Sequence, residues 1–174
     1  MLQKTKPLIK DIQKILQQVY DPEIPVLNIF EMGIVRNIKI DRSRDTPLRV
    51  PTYHVCVTIT PTYSGCPAMK MIEENIIAEL NKNGFYDVKL KTDLFSVWTT
   101  DWLTDEAKDK LKEYGIAPPS KKVEEIHNAL DKPRACPLCN SKNTSLISQF
   151  GSTPCKALYR CNKCLEPFDY FKCY

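Results

Sequence analysis

Two arrangements of cysteine in this 174-residue chain can carry chemistry. The first is Cys66, within Thr60-Pro61-Thr62-Tyr63-Ser64-Gly65-Cys66-Pro67-Ala68. Upstream, Val55, Val57 and Ile59 alternate with Cys56, Thr58 and Thr60, the period of a half-buried strand. Downstream, Met69, Ile72, Ile76 and Leu80 recur at helical spacing. Gly65 permits a tight turn between them, and Pro67 suits the first helical position, where its missing N–H is harmless. Cys66 is therefore expected at the mouth of a helix. Unpaired N–H groups and the helix dipole there favour a thiolate. Such a thiol can ligate a metal or attack an electrophile. The alternative is a small buried residue at a helix cap.

The second arrangement is a pair of C-x-x-C knuckles, Cys136-Pro137-Leu138-Cys139 and Cys161-Asn162-Lys163-Cys164. Four thiolates on two hairpin turns can surround one ion tetrahedrally. The separation fits a zinc ribbon, with strands predicted at Ser145 to Phe150, Ala157 to Cys161 and Pro167 to Phe171. So small a module buries little apolar surface, and metal binding would supply most of its folding energy. Soft thiolates suit zinc, and they also leave iron open. Cys155 and Cys173 exceed what a ribbon needs. They are either packed or free thiols, or ligands of a further metal or iron–sulfur cluster.

The chain holds eight cysteines, and six of them fall between 136 and 173. The opening stretch carries Lys4, Lys6, Lys10 and Lys14 without an apolar core, so it does not read as a signal peptide. No apolar run approaches the ~20 residues of a membrane span. The expected compartment is cytoplasmic, where clustered cysteines bind metal more often than they form disulfides. Net charge is +4 and charged residues make up 26%, which excludes wholesale disorder and permits an acidic partner.

Elements that would position these thiols are legible in order. Leu8, Ile9, Ile12, Ile15, Leu16 and Val19 predict a helix over roughly 6–19, ended by Asp21-Pro22-Glu23-Ile24-Pro25. Two carboxylates there flank a rigid proline, with a capping or turn role as the local alternative for Asp21. Ile34 to Ile40 and Tyr53 to Thr60 predict an antiparallel pair. His54, inside the second of these strands, reads as a packed or exposed residue rather than a ligand. The helix from Pro67 to Asn83-Gly84 and a strand from Phe85 to Lys91 complete a crossover expected to be parallel. Leu94 to Thr100 is expected to reach back along the core. Thr104 would cap a short helix ending at Gly115, with Leu111 and Tyr114 on its inner face. The fold class is α+β: a small domain with a mixed sheet over 1–117, a linker over 118–134, and a four-cysteine zinc-ribbon-like module over 135–174.

Asp21-Pro22-Glu23-Ile24-Pro25, Glu31-Met32-Gly33-Ile34-Val35 and the Thr60 to Pro67 turn resemble the SufT-like iron–sulfur-assembly domain. The tail, from Gly151-Ser152-Thr153-Pro154-Cys155-Lys156-Ala157 to Glu166-Pro167-Phe168-Asp169-Tyr170-Phe171-Lys172-Cys173, resembles one branch of that family, the PaaD components of bacterial phenylacetyl-CoA 1,2-epoxidase systems. The resemblance implies an accessory protein of phenylacetate catabolism that helps mature or maintain an iron–sulfur or di-iron centre. Its partners would be the di-iron oxygenase and reductase subunits, or iron–sulfur assembly proteins. By the same resemblance Cys66 carries the reactive or metal-transferring thiol and Asp21 and Glu23 the acidic motif. Cys136, Cys139, Cys161 and Cys164 hold the tail's metal; the expected cofactors are zinc in that module and iron or an iron–sulfur cluster.

No Ser/His/Asp set, phosphate-cradling glycine loop or di-iron pair of Glu-x-x-His motifs is visible, so the chain is not expected to turn over substrate alone. A zinc-ribbon nucleic-acid-binding or protein-docking module is the competing reading. Basic residues are spread along the chain rather than gathered at the knuckles, which speaks against nucleic acid. A dithiol redox role for the C-x-x-C pairs is the third reading, and the presence of two paired knuckles favours metal ligation over it.

Overall fold

The computed structural model describes residues 8–42, 53–119 and 133–172. It forms two compact units, Met1–Val97 and Trp98–Tyr174. No helix among the described residues is long and apolar enough to cross a membrane.

The first unit opens with α1 (Ile9–Leu16), shorter than its apolar period suggested. The Asp11 carboxylate accepts the Leu8 N–H at 2.9 Å and closes the first turn. Ile12 and Leu16 face inward and are fully buried. Three strands follow: β1 (Val35–Arg42), β2 (Tyr53–Ile59) and β3 (Asp87–Thr92). β2 is central, antiparallel to β1 and parallel to β3. The parallel pair follows from the crossover through α2 (Ala68–Lys82), since two parallel strands cannot be joined by a hairpin. Val55, Val57 and Ile59 of β2 are fully buried, as are Ile72, Ile76 and Leu80 of α2. Each such side chain contributes roughly 1.5–3 kcal/mol through apolar burial.

The opposite face of the sheet carries polar residues. His54 lies there, half-buried, its Nδ1 2.8 Å from Asp87 Oδ1 across the β2–β3 pair. Residues 94–97 do not return along the core as expected. Asp93 accepts the N–H groups of Phe95 and Ser96 and the Ser96 hydroxyl, forming a turn that projects Leu94, Phe95 and Val97 into solvent.

Trp98 opens the second unit and is buried edge-on against Phe171. Thr104 caps α3 (Asp105–Glu113), its hydroxyl accepting the Ala107 N–H at 3.0 Å. Leu111 is buried, whereas Tyr114 is exposed, so only the first of the two faces inward. Gly115 takes a φ of +90°, the left-handed conformation that ends the helix. The chain then enters β4 (Ile116–Ala117), which pairs in parallel with β7 (Pro167–Phe171). β7 pairs with β6 (Lys156–Cys161), and β6 with β5 (Thr144–Ser148), both antiparallel. The boundary expected at 117 thus differs from the one observed. Residues 98–117 group with the tail, because β4 extends its sheet and Trp98 packs on its last strand. Residues 120–132 of the expected linker lie outside the described residues.

Candidate functional site

The two knuckles have the same backbone construction. In the first, Asn140 takes a φ of 58° and donates its N–H to the Cys136 carbonyl at 2.9 Å. In the second, Leu165 takes a φ of 68° and donates to the Cys161 carbonyl at 2.9 Å. The N–H of the first cysteine in each then closes a wider loop, Cys136 to the Ser141 carbonyl at 2.9 Å and Cys161 to the Glu166 carbonyl at 3.0 Å. These bonds turn both sulfurs of a knuckle toward one point.

The result is the one group among the described residues in which three or more metal-ligating side chains converge: Cys136, Cys139, Cys161 and Cys164, with all four sulfurs within 4.8 Å of one another. Cys136 Sγ is 3.8 Å from Cys164 Sγ, and Cys139 Sγ is 3.5 Å from Cys161 Sγ. A tetrahedral ion with ligand bonds of about 2.3 Å spaces its sulfurs by about 3.8 Å, close to the two distances given, so the group suits such an ion. Cys136 and Cys161 are fully buried, and their partners Cys139 and Cys164 are half-buried.

Electrostatics point the same way. N–H groups of Cys164 and Lys163 point at Cys161 and hold its thiol down at about 6 against the opposing effect of burial. For Cys164 the N–H of Glu166 works downward, yet burial and the three crowded sulfurs drive it up to about 12. Cys161 forms a thiolate readily, whereas Cys164 needs a cation to join it. A metal such as zinc meets that demand.

Cys155 is buried outside the group, with Thr153 Oγ1 3.0 Å from its sulfur. Its loop is tied down by Asp169, which accepts the Ser152 hydroxyl at 2.7 Å and lies 3.9 Å from the Lys156 ammonium. Cys173 lies outside the described residues.

Cys66 is half-buried where the turn enters α2. Gly65 takes a φ of +83°, a conformation most side chains resist, and this lets the chain reverse. Asp21 is buried, and its Oδ1 accepts the N–H groups of Glu23 and Ile24 at 2.8 Å each. The local capping role open to Asp21 is therefore filled. The same fold brings both acidic residues into electrostatic range of Cys66.

The thiol's acidity runs against the helix-mouth expectation. Burial pushes Cys66 above its ordinary value; the Ala68 N–H and the Tyr63 side chain pull down; Glu23 and then Asp21 push up again. Desolvation and two carboxylates outweigh the helix terminus, and the uncharged thiol is favoured. Spacing alone does not single out Tyr63, whose hydroxyl is buried; its place on the turn before Gly65 is the only sequence signal for it.

Comparison with known proteins finds matches for both parts of the chain. The family model described as the PaaD zinc beta ribbon domain matches residues 120–172. A relative from Escherichia coli (strain K12), named as the D component of 1,2-phenylacetyl-CoA epoxidase, is 46% identical over 96% of this chain and 94% of its own length. The chain belongs to the PaaD family.

Its N-terminal part matches the model described as iron-sulfur cluster assembly protein, over residues 9–84. A Porphyromonas gingivalis protein, named as an Fe-S protein maturation auxiliary factor, is 31% identical over 56% of the chain and 85% of its own length. Among solved structures, the crystal structure of a DUF59 domain from Bacillus anthracis superposes with a TM-score of 0.50 at 21% identity, over 59% of this chain and 89% of that one. That likeness bears on fold alone. The PaaD tail thus supplies the closed four-cysteine group, and the assembly-type domain supplies a separate thiol with two carboxylates in range.

Proposed function

We propose that this chain is an accessory subunit of a phenylacetyl-CoA 1,2-epoxidase system, and that it matures or maintains an iron–sulfur or di-iron centre there. Cys66 is the thiol that carries the metal, and Glu23 is the neighbouring carboxylate that takes up its proton or shares the ion. Asp21 holds the loop that presents Glu23. The ribbon cysteines hold zinc as a structural group. The partners are the oxygenase and reductase subunits or the assembly proteins that serve them, in the cytoplasm.

The observation that carries this reading is the contrast between the two thiol sites. The four-cysteine group is closed and satisfies an ion fully, which suits a permanent structural metal. Cys66 stands outside it and lies within electrostatic range of two carboxylates. A thiol held neutral by its surroundings binds a cation only by giving up its proton, and regains that proton when the cation leaves. That favours transfer over retention. The names and family models of the relatives point to the same chemistry.

The test is a Cys66→Ser chain purified without oxygen. It should fold and keep its ribbon metal, yet fail to support epoxidase turnover with the purified partner subunits. Full support by that variant would remove Cys66 from the mechanism. A protein-docking role of the ribbon is the second reading, favoured by the exposed Leu138 and Leu165 on the two knuckles. It predicts that knuckle-tip variants, rather than Cys66→Ser, abolish co-elution with the partners.

A further inference from the structure

The most exposed large apolar side chain among the described residues is Phe95, at 98%. Leu94 beside it is 69% exposed and Val97 is 74% exposed, so three of the four residues 94–97 turn apolar surface to water. One such residue needs no explanation, whereas a contiguous group marks an interaction site.

The turn that presents them is fixed. Asp93 Oδ1 accepts the Phe95 N–H at 2.9 Å and the Ser96 N–H at 3.2 Å, and its Oδ2 accepts the Ser96 hydroxyl. At the root, the Asp93 N–H donates to the Ile59 carbonyl at 2.8 Å and ties the turn to the end of β2. These donors, the Ser96 hydroxyl foremost, hold the Asp93 carboxyl below its usual range, so the clamp is ionised at neutral pH. A turn closed this way has little disorder to lose when it binds.

The strand that leads into the turn is basic on one face. Lys89 and Lys91 of β3 lie on the polar face of the sheet, and Lys89 shares a row with Cys56 of β2 and Lys39 of β1. All three lysines are exposed, and none is in an ion pair among the described residues. The carboxylates of that face, Asp41 and Asp87, sit in the row of His54 at the end away from the turn, and Asp87 is taken by the His54 ring.

We propose that the 94–97 turn docks on a protein whose surface offers an apolar pocket bordered by carboxylates. The Phe95 ring enters the pocket, Leu94 and Val97 cover its rim, and Lys89 and Lys91 face the carboxylates. An anionic membrane also offers negative charge, but it would draw the ionised Asp93 toward like charge and out of water. The choice of partner rests on the accessory role proposed above; the surface itself does not involve Cys66.

The test measures binding of the full-length, metal-loaded protein to the purified oxygenase and reductase subunits by calorimetry, at low and at physiological ionic strength. Saturable binding to one of them is expected, weaker at the higher ionic strength. Phe95→Ser should weaken it about ten- to hundredfold, the loss expected for one buried aromatic anchor. Lys91→Glu should weaken it about tenfold at low ionic strength and less as salt is added. Both side chains are exposed, so thermal melts of the two variants should match the parent. Cys66→Ser should bind as the parent does, which separates loss of docking from loss of the thiol's role. Binding to neither subunit, or parent-like affinity in Phe95→Ser or Lys91→Glu, would overturn the proposal. Self-association abolished by Phe95→Ser would assign the turn to a second copy, and binding to phosphatidylglycerol vesicles lost in that variant would assign it to a membrane; either would overturn it as well.

Discussion

Asn140 and Leu165 occupy the same place in the two knuckles: both are left-handed, at φ 58° and 68°, and both donate to the carbonyl of the first cysteine. Asn adopts this conformation readily, whereas Leu does so against a steric penalty of roughly 1–2 kcal/mol. Leu165 is also largely exposed and has little packing to lose. Leu165→Gly should therefore be neutral or stabilising by up to about 1 kcal/mol, after the added freedom of the unfolded chain is counted. Leu165→Val should destabilise the tail by about 1–2 kcal/mol, because a β-branched residue resists the left-handed region more than Leu does. Thermal melts and chelator competition on both variants would check the ordering.

Metal retention should depend steeply on pH. Cys161 ionises at about 6, whereas Cys164 is driven up to about 12 and gives a thiolate near neutral pH only with a cation present. Binding therefore expels protons, and acid reverses it. Release should set in as pH falls below about 6, with loss of the tail's strand signal. A chromogenic chelator read in parallel with circular dichroism would show the two events together. Metal release that left the strand signal unchanged would contradict a structural ion.

Cys66 should alkylate slowly for a half-exposed thiol, with a midpoint above the ordinary thiol value, because burial and then the nearby carboxylates favour the protonated form. Glu23→Gln removes the larger of the two carboxylate effects. Its midpoint should move down in pH, and its alkylation rate near pH 8 should rise by about two- to tenfold. Rate–pH profiles with iodoacetamide give the comparison directly, and an unmoved or raised midpoint would place Glu23 out of range of the thiol.

Asp21 should behave as a structural residue. Its carboxylate receives two backbone N–H groups in a buried turn, and Asp21→Ala leaves both donors without that acceptor. The expected loss is about 1–3 kcal/mol, and Asp21→Asn, which keeps one acceptor oxygen, should lose less. Denaturant midpoints for the pair would separate this from a purely catalytic role, in which both variants would melt like the parent.

Gly151 has no room for a side chain: a Cβ there would collide with the Asp169 carboxylate and press on Lys156. Gly151→Ala should displace Asp169 from Ser152 and Lys156 and destabilise the second unit by about 1–3 kcal/mol. Gly65 meets nothing within 4 Å, so Gly65→Ala should act only through its left-handed backbone, by about 1–2 kcal/mol. Comparing the two melts distinguishes contact from conformation.

The local features of this chain were readable from its sequence. Knuckle spacing, the strand period of β2, the helical period of α2 and the Thr104 cap each depend on neighbours a few residues away, and each is present. Long-range relations were not readable. The environment of Cys66 depends on how deeply it is buried and on where Asp21 and Glu23 come to rest, and these reverse the effect that a helix mouth alone would have. The side to which residues 98–117 belong was decided by a two-residue strand, β4, finding β7, and by Trp98 finding Phe171. Nothing in Ile116-Ala117 announces that pairing, because a strand's partner is set by which edge is left unpaired once the rest of the sheet has formed. Spacing determined which residues can do chemistry; burial and strand pairing, which act across the chain, decided what surrounds them.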